Sequence, residues 1–242
     1  MMLAMSFDDT AVLFVLTFAA LVRATAGFGD ALIAMPLLAL LVGLEVATPL
    51  VGLVSVSTAV VMLLSSWQEV DLRSIAPFLA ATAVGVPLGV WMLARLESAF
   101  LITGLGVLLI ALGLYKLLGP DLPAARHPFF TVGLGLLAGL FGGAFNISGP
   151  VAVLYGGLRR WPPAVFRTSL QGFFIVISTV IALSHGVAGL WSERVWQLYG
   201  VALPLTLAAV FAGSLVADKL PKRQLERLID VVIVVSGIIL VI

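Results

Sequence analysis

The chain alternates long apolar runs with short polar or proline-bearing breaks. One apolar region covers residues 10–43 and is interrupted at Gly27-Phe28-Gly29-Asp30. Shorter runs follow at 46–66, 73–94 and 99–118, and "GPDLPAARH" (119–127) closes the series. The pattern then restarts with 129–158, broken near Gly142-Gly143, and continues at 163–185, 196–217 and 225–242. A helix of about 20 apolar residues crosses about 30 Å of hydrocarbon, so these runs predict membrane-crossing helices. They are continuous and do not alternate at every second residue, which argues against a β-barrel. The expected fold is an all-α, polytopic membrane protein.

Composition sharpens this picture. Hydrophobic residues are 62% of the chain and charged residues 10%, against roughly 45–50% and 25% in soluble domains. No polar stretch is long enough for a soluble domain. The net charge of +1 gives no reason to expect nucleic acid, and the expected surroundings are membrane lipid. The chain has no cysteine, which excludes disulfides and thiolate metal sites; neither metal nor cofactor is expected. Asp8 and Asp9 stand where a signal peptide would carry lysines, so the first helix is expected to be retained.

The restart reads as an internal duplication. Residues 1–118 form the first transmembrane repeat, 119–128 a polar connection and 129–242 the second repeat. "GDALIAMP" (29–36) aligns with "GAFNISGP" (143–150), and Ser55 with Ser169 at the same spacing. "GVWMLARL" (89–96) aligns with "GSLVADKL" (213–220) after a loop insertion.

Each repeat thus holds one glycine-broken segment and three spans, and two topologies follow. If each broken segment crosses once, there are eight spans and the repeats are parallel. If each is a hairpin that turns back, the repeats are inverted. Cytoplasmic loops collect Lys and Arg. The eight-span arrangement strands Arg73, Lys116, Arg126 and Arg194 outside, whereas the hairpin arrangement strands only Arg95 and Arg194. The inverted arrangement is therefore favoured, with both termini periplasmic. Trp67, Trp161, Trp191 and Trp196 fall at span ends, as an aromatic belt requires. Arg167 is expected to snorkel to the interface, and the basic cluster 219–227 to act as an orientation signal.

Paired helix breaks in two repeats point to a transporter's substrate site. Glycine lets bare backbone approach a ligand, and helix N-termini favour anions. The candidate substrate-binding residues are Gly27, Phe28, Gly29, Gly142, Gly143, Asn146 and Ser148, with Ser55, Ser169 and Gln171 from the spans that follow. Asn146 and Ser148 offer neutral donors; Ser55, Ser57 and Thr58 suit helix packing equally well. Asp30 is the one carboxylate deep in an apolar run and, with Arg23, the ion-coupling candidate. Arg23 lies seven residues earlier on the same helical face. Three readings of Asp30 stay open: a strut to Arg23, direct substrate or proton work, or a water-exposed cavity position.

At these motifs the chain resembles the TauE/SafE family of sulfite exporter-like membrane proteins. The resemblance rests on "GFGDALIAMPLL" (27–38), "GGAFNISGPVAVLYG" (142–156) and "WPPAVFRTSLQGFF" (161–174), and runs over essentially the whole chain. It implies a duplicated helical transporter of the bacterial inner membrane, moving sulfite, organosulfonates or related small anions. Many members carry glycine at the position of Asp30, and often two prolines where this chain has Pro150-Val151. The leading expectation is a secondary transporter for a small anion, with protons as a candidate coupling partner. An anion channel is the main alternative, and a membrane-embedded hydrolase built on Ser148 and His185 a remote one. The sequence is compatible with a homo-oligomer.

Overall fold

A computed structural model describes residues 7–27, 29–66, 73, 75–118, 124, 127–216 and 222–242. Phe28, Trp67, and the side chains of Arg167 and of the 219–227 cluster lie outside what is described. Ten α-helices and no strand occur among the described residues. They are α1 (Phe7–Ala26), α2 (Asp30–Val42), α3 (Leu44–Ser66), α4 (Ala76–Arg95) and α5 (Ser98–Leu118). After the polar connection come α6 (Pro128–Phe145), α7 (Gly149–Leu158), α8 (Pro163–Val187), α9 (Glu193–Val216) and α10 (Lys222–Val241).

Six of these, α3, α4, α5, α6, α8 and α9, are long and apolar enough to cross a membrane. The chain is a multi-pass membrane protein. The helices α2 and α7 are apolar but short, about 20 Å and 15 Å at 1.5 Å per residue. Each folds back on the helix before it, α2 on α1 and α7 on α6.

The breaks are two turns that start alike and end differently: Gly29 before α2 is left-handed at φ 103°, whereas Ser148 before α7 has φ −89°. A left-handed residue follows each long arm, Gly27 at φ 85° and Asn146 at φ 57°, and the short helix begins three residues later. Only glycine, and to a lesser degree asparagine, adopts this conformation readily. The ends of α1 and α6, the starts of α2 and α7, and the starts of α3 and α8 are each 119 residues apart. This register differs from the one read off "GDALIAMP" and "GAFNISGP". Gly29 precedes a helix, whereas Gly143 lies inside one.

The second break is therefore at residues 146–148 and not at Gly142-Gly143. The reason is packing. A Cβ on Gly143 would collide with the carbonyl oxygen of Val86, and one on Gly89 with that of Leu140. Gly85, Gly89, Gly135, Gly139 and Gly143 let α4 and α6 approach backbone to backbone, as small residues do between helices in lipid. Glycine in that segment serves helix contact, and the turn itself falls to Asn146.

Neighbouring positions fix the running directions. Gly85 lies against Gly139 and Gly89 against Gly143, so α4 and α6 are parallel. Asp9 pairs with Arg194 and Gly213 abuts Ala24, so α1 and α9 are parallel. In contrast, Gly106 abuts Gly237 and Leu240 while Gly113 abuts Val234, which makes α5 and α10 antiparallel. Lys116 pairs with Asp230 across the same seam. One apolar cluster, around Leu16, Met35, Leu38 and Leu50, packs α1, α2 and α3 together; a second, around Phe78, Tyr155 and Phe173, packs α4, α7 and α8.

Candidate functional site

The two turns meet. A cavity of about 30 Å³ is lined from the first turn by Arg23, Gly29, Asp30, Ala31 and Leu32, and from the second by Asn146, Ile147, Ser148, Gly149 and Pro150. Ser55 on α3 and Phe174, Ser178 and Ile181 on α8 complete the wall. Two or three waters fit such a space at about 10–15 Å³ each.

Its electrostatics follow from local structure. The helices α2 and α7 both begin at the cavity, so two first turns border one small volume, although Pro150 in α7 has no N–H to offer. Each N-terminus carries roughly half a positive charge. Arg23 and Asp30 are the charged side chains of the lining. Arg23 Nη1 donates to Asp30 Oδ2 at 2.7 Å, and Ser55 Oγ donates to the same oxygen at 3.0 Å. The Arg23–Asp30 pair, one of the three readings left open, is present in the cavity wall; it forms across the turn from α1 to α2 and not along one helical face. Arg23 is only 4% exposed, its Nε has no partner among the described residues, and its guanidinium lies over the Phe174 ring at 5.8 Å. A second void, lined by Leu16, Ala19, Ala20, Ala34 and Thr58, reaches Asp30 from behind.

The second turn is tied by other means. Asn146 N–H donates to Gly142 O at 2.8 Å and Ile147 N–H to Phe141 O at 3.2 Å. His185, fully buried, places Nε2 2.8 Å from Gly143 O, where it donates. Thr48 Oγ1 donates to Ala144 O at 3.3 Å, and Asn146 Nδ2 donates to Thr48 O at 2.7 Å. Carbonyls that end a helix inside a membrane need partners. Here α3 and α8 supply them.

Several predicted residues fall together and others do not. Gly29, Asp30, Arg23, Ser55, Asn146 and Ser148 line the cavity. Gly27 forms the first turn and is exposed; Gly142 lies just behind Ser148 and against Ile181, and Gly143 packs on α4. Ser169 and Gln171 are outside the lining, and Ser169 Oγ and Gln171 Oε1 are buried without a partner among the described residues. Ser57 bonds Tyr199 at 2.7 Å, and Thr58 returns its hydroxyl to the α3 backbone. Ser148 and His185 share no hydrogen bond. Thr48 and His185, which bond carbonyls of the second turn from outside the lining, and Phe174 and Ser178, which line the cavity, were not anticipated in these roles. For the last two the signal was there: Phe174, Ser178 and Ile181 recur at helical spacing along α8, whereas "TSLQ" precedes that face.

The profile of the family described as Sulfite exporter TauE/SafE matches residues 12–240. The chain belongs to this family. It is 25% identical over 176 residues to a protein of Comamonas testosteroni named probable inner membrane transporter protein TsaS, covering 72% of this chain and 73% of that one. It is 29% identical over 195 residues to a Cupriavidus necator protein named probable sulfite/organosulfonate exporter TauE, covering 77% of this chain and 75% of that one. No solved structure matches. This TauE/SafE chain is a membrane transporter.

Proposed function

We propose that the chain is a secondary transporter of the bacterial inner membrane for small anions such as sulfite, organosulfonates or related oxyanions. The convergence of two helix N-termini and Arg23 on one cavity carries this reading. Arg23 and Asp30 cancel, so the positive ends of α2 and α7 remain to attract an anion, and Asn146 and Ser148 offer uncharged donors beside them. The name of the Cupriavidus relative supports the same substrate class.

Asp30 is the coupling residue in this proposal. An anion entering a neutral, partly dry site leaves it with one excess negative charge, and a proton on Asp30 restores neutrality while releasing Arg23 Nη1 to the substrate. The anion and one proton then move together.

Alternating access comes from two inverted repeats, 1–118 and 129–242, joined by residues 119–128. Equal spacing of the helix boundaries and the matched left-handed turns support the duplication. The inversion is supported by the corresponding helices α5 and α10, which run antiparallel where parallel repeats need them parallel. The charge distribution puts both termini in the periplasm.

Counterflow of labelled sulfite in proteoliposomes tests the function. Unlabelled sulfite, sulfoacetate, taurine or acetate is loaded inside. Accelerated exchange with the sulfur oxyanions and none with acetate is expected; a large conductance without saturation would instead identify a channel. Single cysteines beside Glu45 and Arg159, in a chain without native cysteine, are expected to label from opposite sides. Labelling from one side would overturn the inversion.

A further inference from the structure

Away from the transport cavity, a larger groove of about 570 Å³ opens on the outer face between α4 and α8. Its walls are Pro87, Val90, Trp91 and Ala94 on one side and Val180, Leu183, Ser184 and Val187 on the other, with Arg95 and Ala188 at one end. Trp91 is 54% exposed. Arg95 has no salt-bridge partner among the described residues.

We propose that this groove is a phospholipid site, in which one acyl chain lies between α4 and α8 and the lipid phosphate is held by Arg95. The dimensions select the occupant. From residue 87 to 95 on α4, and from 180 to 188 on α8, the groove is about 12 Å long at 1.5 Å per residue. That is close to one leaflet of a hydrocarbon core about 30 Å thick. A helix from a second copy of the chain needs a seam running the full thickness. The chemistry is graded in the same direction: apolar walls, then Trp91, then one turn later on the same helical face the unpaired cation Arg95. Indole at the glycerol level and guanidinium at the phosphate level are what an interface offers.

The proposal does not depend on the transported substrate, and its test reads lipid directly. Protein purified from phosphatidylglycerol/phosphatidylethanolamine membranes is analysed intact by native mass spectrometry during stepwise delipidation. Wild type is expected to retain one phospholipid after the others are stripped. Arg95→Gln is expected to lower that retention about tenfold, and Ala94→Trp, which fills the groove while keeping Arg95, to abolish it. A Phe14→Trp variant, on an exposed face of α1, should behave as wild type. Equal stripping of all four proteins, or retention that Ala94→Trp leaves unchanged, overturns the site. So does a dimer that dissociates on Ala94→Trp, which would give the face to a second copy.

Discussion

The two turns that close the cavity share a left-handed residue after the long arm and differ in chemistry. The first carries Arg23 and Asp30; among the described residues, Gly27 N–H donates to Arg23 O at 2.7 Å at the end of its long arm, and Thr25 Oγ1 donates to Leu21 O and Val22 O. At the 119-residue spacing, the second turn has Gly142 and Gly149 in the places of that pair. Its long arm is capped by its own backbone, by His185 and by Thr48. The first turn has an ion pair beside its neutral hydrogen bonds, whereas the described bonds of the second are all neutral. In the proposed duplicated transporter the two turns would divide two tasks, the first responding to charge and the second presenting neutral donors.

Breaking the charged turn gives the largest expected effect. Arg23→Leu leaves the partly buried Asp30 without its cation. Removing one partner of a fully buried pair costs about 3–5 kcal/mol, so a fall in thermal stability below that range is expected. In detergent-solubilised protein the anion affinity should fall at least tenfold, since a hydrogen bond to a charged group contributes about 1.5–3 kcal/mol. Asp30→Asn should behave oppositely. It keeps an acceptor for Ser55, frees Arg23, and is expected to bind anion as tightly as wild type or tighter. The pair Arg23→Leu and Asp30→Asn together should regain stability without regaining binding. If the double variant binds normally, Arg23 is a strut alone.

At the neutral turn the dissociation is expected to reverse. Thr48→Val leaves the Ala144 carbonyl without its side-chain donor, and His185→Phe does the same to Gly143. Each should cost about 1–3 kcal/mol of stability. Anion affinity is expected to stay within twofold of wild type in both, because neither side chain lines the cavity. A tenfold loss of affinity at unchanged melting temperature would bring His185 into the site and undo the division of tasks.

Much of this was legible along the chain, for reasons that can be traced. Apolar runs report spans because lipid demands an unbroken helix, and α3, α4, α5, α8, α9 and α10 fall within a few residues of the runs that predict them. The Arg23–Asp30 pair was anticipated on the premise of one continuous helical face, but it forms across the turn between α1 and α2, which brings the two ends together. The second break was misplaced by a glycine pair, since glycine serves close helix contact as readily as a turn, and only the facing α4 backbone decides between them. His185 and Thr48 were illegible as caps. Their partners are backbone carbonyls 42 and 96 residues away, and no side-chain pattern marks a carbonyl.

The smallest expected effects test whether the two turns are the same turn. Both need a left-handed residue, which costs an ordinary L-residue roughly 1–2 kcal/mol and asparagine less. Gly27→Ala should therefore lower stability by about that amount, although a Cβ there meets nothing within 4 Å. Gly27→Asn should recover most of the loss, because asparagine already holds the matching place in the second repeat. The reciprocal change, Asn146→Gly, keeps the turn and removes only the amide bond to Thr48 O. It should cost about 1 kcal/mol and additionally weaken anion binding, since Asn146 lines the cavity and Gly27 does not. Melting curves of the three variants, measured side by side, separate backbone strain from side-chain chemistry. Should Gly27→Asn prove as damaging as Gly27→Ala, the shared φ of the two turns would be a coincidence of geometry, and the structural case for duplication would rest on helix spacing and direction.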